Sequence, residues 1–169
     1  PNTTHEQTLV PGRGTEESKT NDVTDRYQRG EIGCCIELGR PGICCTFRDI
    51  AIVTGYLVRK GFRLEDKNPV TDLMDPQTGN FSENLMACRI LSAIIEVKFL
   101  SNRIEEFVEL IKQVSKKIET VFTLGFICRF DDDGGLSICD RLARLGLPPA
   151  SNAKINLGIG HASSGRMKA

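Results

Sequence analysis

The chain has 169 residues, 40% hydrophobic, 26% charged and 6% aromatic, with no Trp. This favours one globular domain plus tails, without an abundance of large core side chains. Its 22 basic and 22 acidic residues cancel to a formal charge of zero, with a pI near 7.1. That balance removes any global electrostatic case for nucleic acid or an anionic membrane as partner. No stretch reaches the ~18 uncharged apolar residues of a membrane span.

Residues 1–30 hold Leu9, Val10, Val23 and Tyr27 as their only sizeable apolar side chains. Such a segment buries too little surface to offset its ordering entropy, so it reads as a flexible N-terminal arm. Pro1-Asn2-Thr3-Thr4 lacks the charged and apolar regions of a signal peptide. Without that signal, the seven cysteines read as reduced thiols in an intracellular, cytoplasmic protein.

Residues 32–47 read as a hairpin. Pairing Leu38 with Ile43 sets Ile36 opposite Cys45 and Cys34 opposite Phe47, which makes one face wholly apolar. Gly39-Arg40-Pro41-Gly42 supplies the turn. A helix follows, with Thr46 as cap and Asp49 as the acid of a capping box. Ile50, Val53 and Leu57 are its inner stripe, and Gly61 its left-handed stop. Residues 63–81 are a polar connector containing Pro69, Pro76 and Gly79.

The dominant pattern lies between Ser82 and Leu124, where no Pro or Gly intervenes. Met86, Ile90, Ala93, Val97, Leu100, Ile104, Phe107, Ile111, Val114, Ile118 and Val121 fall on one 3-4 repeat. A 3.5-residue apolar period held over about five heptads predicts a long helix that meets other helices. Its first half is apolar on nearly every side and belongs inside the domain. Its second half carries a narrower stripe between charged flanks and should project as a stalk. Val97, Leu100, Ile104, Phe107, Ile111, Val114, Ile118 and Val121 are therefore the expected oligomer interface. Apolar residues at the flanking positions, Ile94, Val108 and Leu110 among them, favour a trimer or tetramer.

After Gly125, Phe126–Phe130 reads as a short strand and Asp131–Gly135 as a turn. Ser137 then caps a short helix bearing Ile138, Leu142 and Leu145, ended by Gly146 and Pro148. Residues 150–169 form a flexible basic tail carrying Lys154, Arg166 and Lys168.

Chemistry-bearing motifs are weak. Cys34-Cys35 and Cys44-Cys45 are adjacent pairs, and neighbouring strand residues point to opposite faces, so one metal ion cannot easily take both. A nucleophilic Cys needs an oriented base, but His5 and His161 lie in the two tails. Counting a calcium loop from Asp131 puts Leu136 where Gly is required and Leu142 where Glu is required. No catalytic residue, metal or cofactor is assigned.

The expected fold is α+β and mostly helical, an N-terminal hairpin and short helices packed on one long helix of about 82–124. The core domain spans 31–149. The expected function is non-enzymatic: an oligomerisation or adaptor module that binds itself and an unidentified protein, raising the local concentration of its arms. The architecture resembles in pattern the multimerising central region of viral polymerase-cofactor phosphoproteins. A nucleic-acid-binding regulator or viral counter-defence oligomer, using Lys154, Arg166 and Lys168, is the alternative. A small cysteine-dependent enzyme is the third reading.

Overall fold

The structure, a computed structural model, describes residues 26–39 and 43–150. Its frame is a four-stranded antiparallel sheet in the order β3-β5-β1-β6. The strands are β1 (Glu31–Leu38), β3 (Arg63–Leu64), β5 (Ala93–Leu100) and β6 (Phe122–Ile127). A second, two-stranded sheet pairs β2 (Cys45–Thr46) with β4 (Arg89–Ile90). The helices are α1 (Phe47–Arg59), α2 (Glu83–Met86), α3 (Ile104–Ser115) and α4 (Ser137–Arg144).

This architecture overturns the long helix. Ser82–Leu124 is divided into α2, β4, β5, a 3-10 turn at Ser101–Arg103, α3 and the start of β6. The longest helix, α1, has 13 residues, so the molecule contains no coiled-coil stalk among its described residues. The pattern likeness to multimerising viral phosphoproteins falls with that stalk. Ala93-Ile94-Ile95-Glu96-Val97-Lys98-Phe99-Leu100 is rich in β-branched and aromatic residues, which suit a pleated strand better than a helix. As a central strand it is buried on both faces, so its polar-apolar alternation is erased.

The hairpin is overturned as well. β1 does present Cys34, Ile36 and Leu38 on one buried face, but its partners are β5 and β6, not residues 43–47. Cys34 lies opposite Val97 on one side and Phe126 on the other. Long-range pairing on both flanks covers far more apolar surface than a local turn could.

The start and stop of α1 follow the sequence. Asp49 N–H donates to Thr46 Oγ1 at 3.2 Å, and Thr46 N–H donates back to the Asp49 carboxylate at 3.1 Å, a complete capping box. At the far end Gly61 N–H reaches Val58 C=O and Phe62 N–H reaches Leu57 C=O, with Gly61 at φ 67°. That is a Schellman stop, and a residue without Cβ fits its positive φ. Arg103 then places its guanidinium against the same helix end. It donates to the carbonyls of Lys60 at 2.8 Å and Gly61 at 3.1 Å, and lies 4.0 Å over the Phe62 ring.

α1 and α3 pack side by side on one face of the sheet. Ile50, Val53 and Leu57 from α1 share a core with Ile104, Phe107, Ile111 and Val114 from α3 and the inner side chains of β1 and β5. Phe107 is its centre, stacked on Phe99 at 4.6 Å between ring centroids and edge-on to Phe62 at 5.5 Å and Phe126 at 6.1 Å. α4 sits beside α3, where Arg141 pairs with Glu105 at 2.7 Å and Lys112 Nζ donates to Leu145 C=O at 2.7 Å.

Candidate functional site

Five of the eight residues read from the sequence as an oligomer seam are dry within a single subunit. Val97 lies on the inner face of β5, and Ile104, Phe107, Ile111 and Val114 line the inner face of α3, all buried. Ile118 is half-buried, whereas Leu100 and Val121 are exposed at 56% and 48%. These residues do not converge on one surface. Lys154, Arg166, Lys168, His5 and His161 lie outside the described residues.

Among the described residues a different surface stands open, the outer edge of β6. Gly39 N–H donates to Val121 C=O at 2.9 Å. The register continues with Leu38 opposite Phe122, Glu37 opposite Thr123, Cys35 opposite Gly125 and Gly33 opposite Ile127. Bonded and non-bonded pairs alternate along an antiparallel ladder. Thr123, Gly125 and Ile127 therefore direct N–H and C=O at β1. Phe122, Leu124 and Phe126 direct theirs outward, and no backbone partner among the described residues meets them.

The side chains of those same three residues face the helical layer without being enclosed by it. Their cross-strand neighbours Leu38, Ile36 and Cys34 are fully buried, yet Phe122, Leu124 and Phe126 are only half-buried. Ile118, Leu145 and Leu147 are also half-buried members of the core margin. Phe122–Ile127 contains no charge and no Pro. Proteins ordinarily blunt free edges by shortening or charging them. The opposite edge obeys: β3 has two residues, and its Arg63 pairs with Asp66 at the surface. β6 does not.

The other face of the sheet carries a buried polar network. The segment Arg26–Gly30, assigned by the sequence to a flexible arm, folds across it. Tyr27 is 2% exposed, and its ring lies on Gly33, where an added Cβ would stand 2.4 Å from it. Beneath it Glu96 is fully buried. Arg26 pairs with Glu65 and lies 3.8 Å from Glu96, and Asn68 Nδ2 reaches Glu96 at 3.5 Å. Lys98 Nζ donates to Arg26 C=O at 2.9 Å and pairs with Glu31 at 2.7 Å, while Arg129 Nε donates to Tyr27 C=O at 2.8 Å. Burial is the largest single influence and would lower the pKa of Arg26, but its bond to Glu65 together with the charges of Glu65, Tyr27 and Glu96 outweighs that and raises it. Together these contacts fasten the segment to the sheet.

None of the seven cysteines forms a disulfide. Burial pushes Cys34 well above its ordinary 9.0. Burial, with Asp49 nearby, pushes Cys45 up to about 12, and burial beside Cys139 pushes Cys128 up to about 11. A thiol held protonated is a poor nucleophile. Its linkage to folding has a definite sign. The native chain keeps protons that the unfolded chain releases from about pH 9. Stability is therefore intact below about pH 9 and falls as pH rises towards the native values, by about 1.4 kcal/mol per pH unit for each such thiol. Urea midpoints should hold steady up to about pH 8 and drop by about pH 10.5. A midpoint unchanged across that range contradicts the burial of these thiols.

Among the described residues no three metal-ligating side chains cluster, and no helix is long and apolar enough to cross a membrane. No protein-family model, no curated protein and no solved structure matches this chain.

Proposed function

We propose that the chain is a non-enzymatic assembly module whose working surface is the outer edge of β6. One observation carries the reading. Phe122, Leu124 and Phe126 turn their backbone groups away from the sheet, and their side chains form an incompletely covered apolar margin beside them. A strand laid along this edge satisfies those donors and acceptors in a row and covers the margin at the same time. Neither gain alone would suffice, because a hydrogen bond taken from water adds only about 1 kcal/mol net. Together they give direction and affinity. This replaces a helical seam with a sheet edge as the means of association.

Leu124→Lys tests the reading. Position 124 is half-buried at the margin, so the subunit should remain folded by far-UV circular dichroism. The added charge would have to be desolvated by any incoming strand, at a cost of several kcal/mol. The parent should sediment faster than a lone 18.7 kDa chain, and Leu124→Lys as a lone chain. If both sediment alike and the amides of Phe122, Leu124 and Phe126 exchange freely in both, the edge is not the working surface.

A further inference from the structure

We infer that the strand received by this edge is the β6 strand of a second copy, paired antiparallel about a two-fold axis at Leu124. The inference rests on the edge reading above and adds the partner and the register. The argument begins with symmetry. A two-fold axis at Leu124 sets Leu124 against itself and Phe122 against Phe126 of the other copy. These are the outward-bonding positions, so the Leu124–Leu124 and Phe122–Phe126 pairs each exchange both backbone bonds.

The side chains suit that register. On the helical side, aromatic faces aromatic and Leu faces Leu, and such cross-strand pairs are favourable. On the opposite side Thr123 meets Gly125 of the other copy, so the closely spaced pair next to the axis is small against polar. Like charges facing each other would penalise self-pairing, but Phe122–Ile127 has none. A whole-chain charge of zero adds no long-range repulsion between copies. The product is a continuous eight-stranded sheet in which neither β6 remains an edge.

The chain itself supplies a competitor. Ile155, Leu157 and Ile159 alternate in the segment after α4, and period-two alternation is what a strand offers. The experiment therefore separates a second copy from the chain's own C-terminal segment.

Light scattering of the full chain should give twice 18.7 kDa. Leu124→Lys and Leu124→Glu should each weaken association by at least about a hundredfold, because each sets like charges face to face. An equimolar mixture of the two variants should return to the doubled mass. Leu124→Pro deletes the central outward N–H without adding charge and should also give the single mass. A trimeric or larger parent, or a mixture that stays apart, overturns the two-fold pairing and leaves the edge reading standing. So does a parent of single mass whose Phe122, Leu124 and Phe126 amides resist exchange until residues 151–169 are removed. A single mass with those amides exchanging freely overturns both.

Discussion

Ile111→Asp should unfold the subunit, not merely separate copies of it. Ile111 is 3% exposed on the inner face of α3, within the core that joins both helices to the sheet. Truncating a buried Ile costs about 2–5 kcal/mol. Putting a carboxyl group there without a partner adds a desolvation penalty of a few more. The sum, of order 5 kcal/mol or above, rivals the whole stability of a small domain. Leu100→Asp is the informative control. Leu100 belongs to the same 3-4 repeat but is 56% exposed at the end of β5, so its substitution should change stability by about 0.5 kcal/mol or less. Urea unfolding followed by circular dichroism distinguishes the two cases. Equal effects at both positions would mean that the repeat forms one continuous interface after all.

Gly79→Ala should be the most damaging of the small-residue substitutions. Gly79 has φ 75°, where an L side chain is strained by about 1–3 kcal/mol. The added Cβ would also stand 2.7 Å from Gly55 N and from Thr54 C, which are backbone atoms of α1. A helix backbone cannot yield as a flexible side chain can, so overpacking adds about 1–3 kcal/mol more. The loop is further tied down by Thr54 Oγ1, which donates to Gly79 C=O at 2.5 Å. Moving Gly79 away from α1 would break that buried bond. A loss of about 3–5 kcal/mol is expected in urea unfolding. A loss under about 1 kcal/mol would mean that the loop does not seat on α1 as described.

The parts of the fold that were legible are those governed by local chemistry. Thr46 with Asp49 and Gly61 with Phe62 define α1 because a cap and a stop depend on neighbours within a few residues. Gly146 ends α4 in the same manner, with Leu147 N–H on Leu142 C=O. The cap expected at Ser137 is one residue off, because Ser137 is the first helical residue and Leu136 stands at the cap position, where its side chain makes no capping bond. The Ser82–Leu124 stretch was misread for a specific reason. Ala93 and Val97 belong both to a 3-4 series and to a period-two series with Ile95 and Phe99, and Ile94 and Glu96 are buried on the opposite face. A strand covered on both sides carries no alternation to mark it. The β-branched and aromatic density of Ile94, Ile95, Val97 and Phe99 was the signal available.

The candidate site was hidden by the same error. The uninterrupted stretch to Leu124 draws Phe122-Thr123-Leu124 into the expected helix, whereas Phe122–Ile127 is one strand with Gly125 inside it opposite Cys35. Which backbone groups face outward depends on the register with β1, and sequence periodicity does not encode the partner strand. The buried Arg26–Glu65–Glu96 network escaped for a similar reason. Its members come from three separate segments, and only the folded sheet brings them together.

Residue-resolved amide hydrogen exchange along β6 tests the central claim most directly. Thr123, Gly125 and Ile127 bond to β1 within one subunit, so their amides should resist exchange at every protein concentration. Phe122, Leu124 and Phe126 should exchange freely in dilute protein and become protected as the protein is concentrated. That alternation, residue by residue, is what a shared sheet edge requires. Uniform protection along β6, or outward amides that stay open at all concentrations, would contradict it.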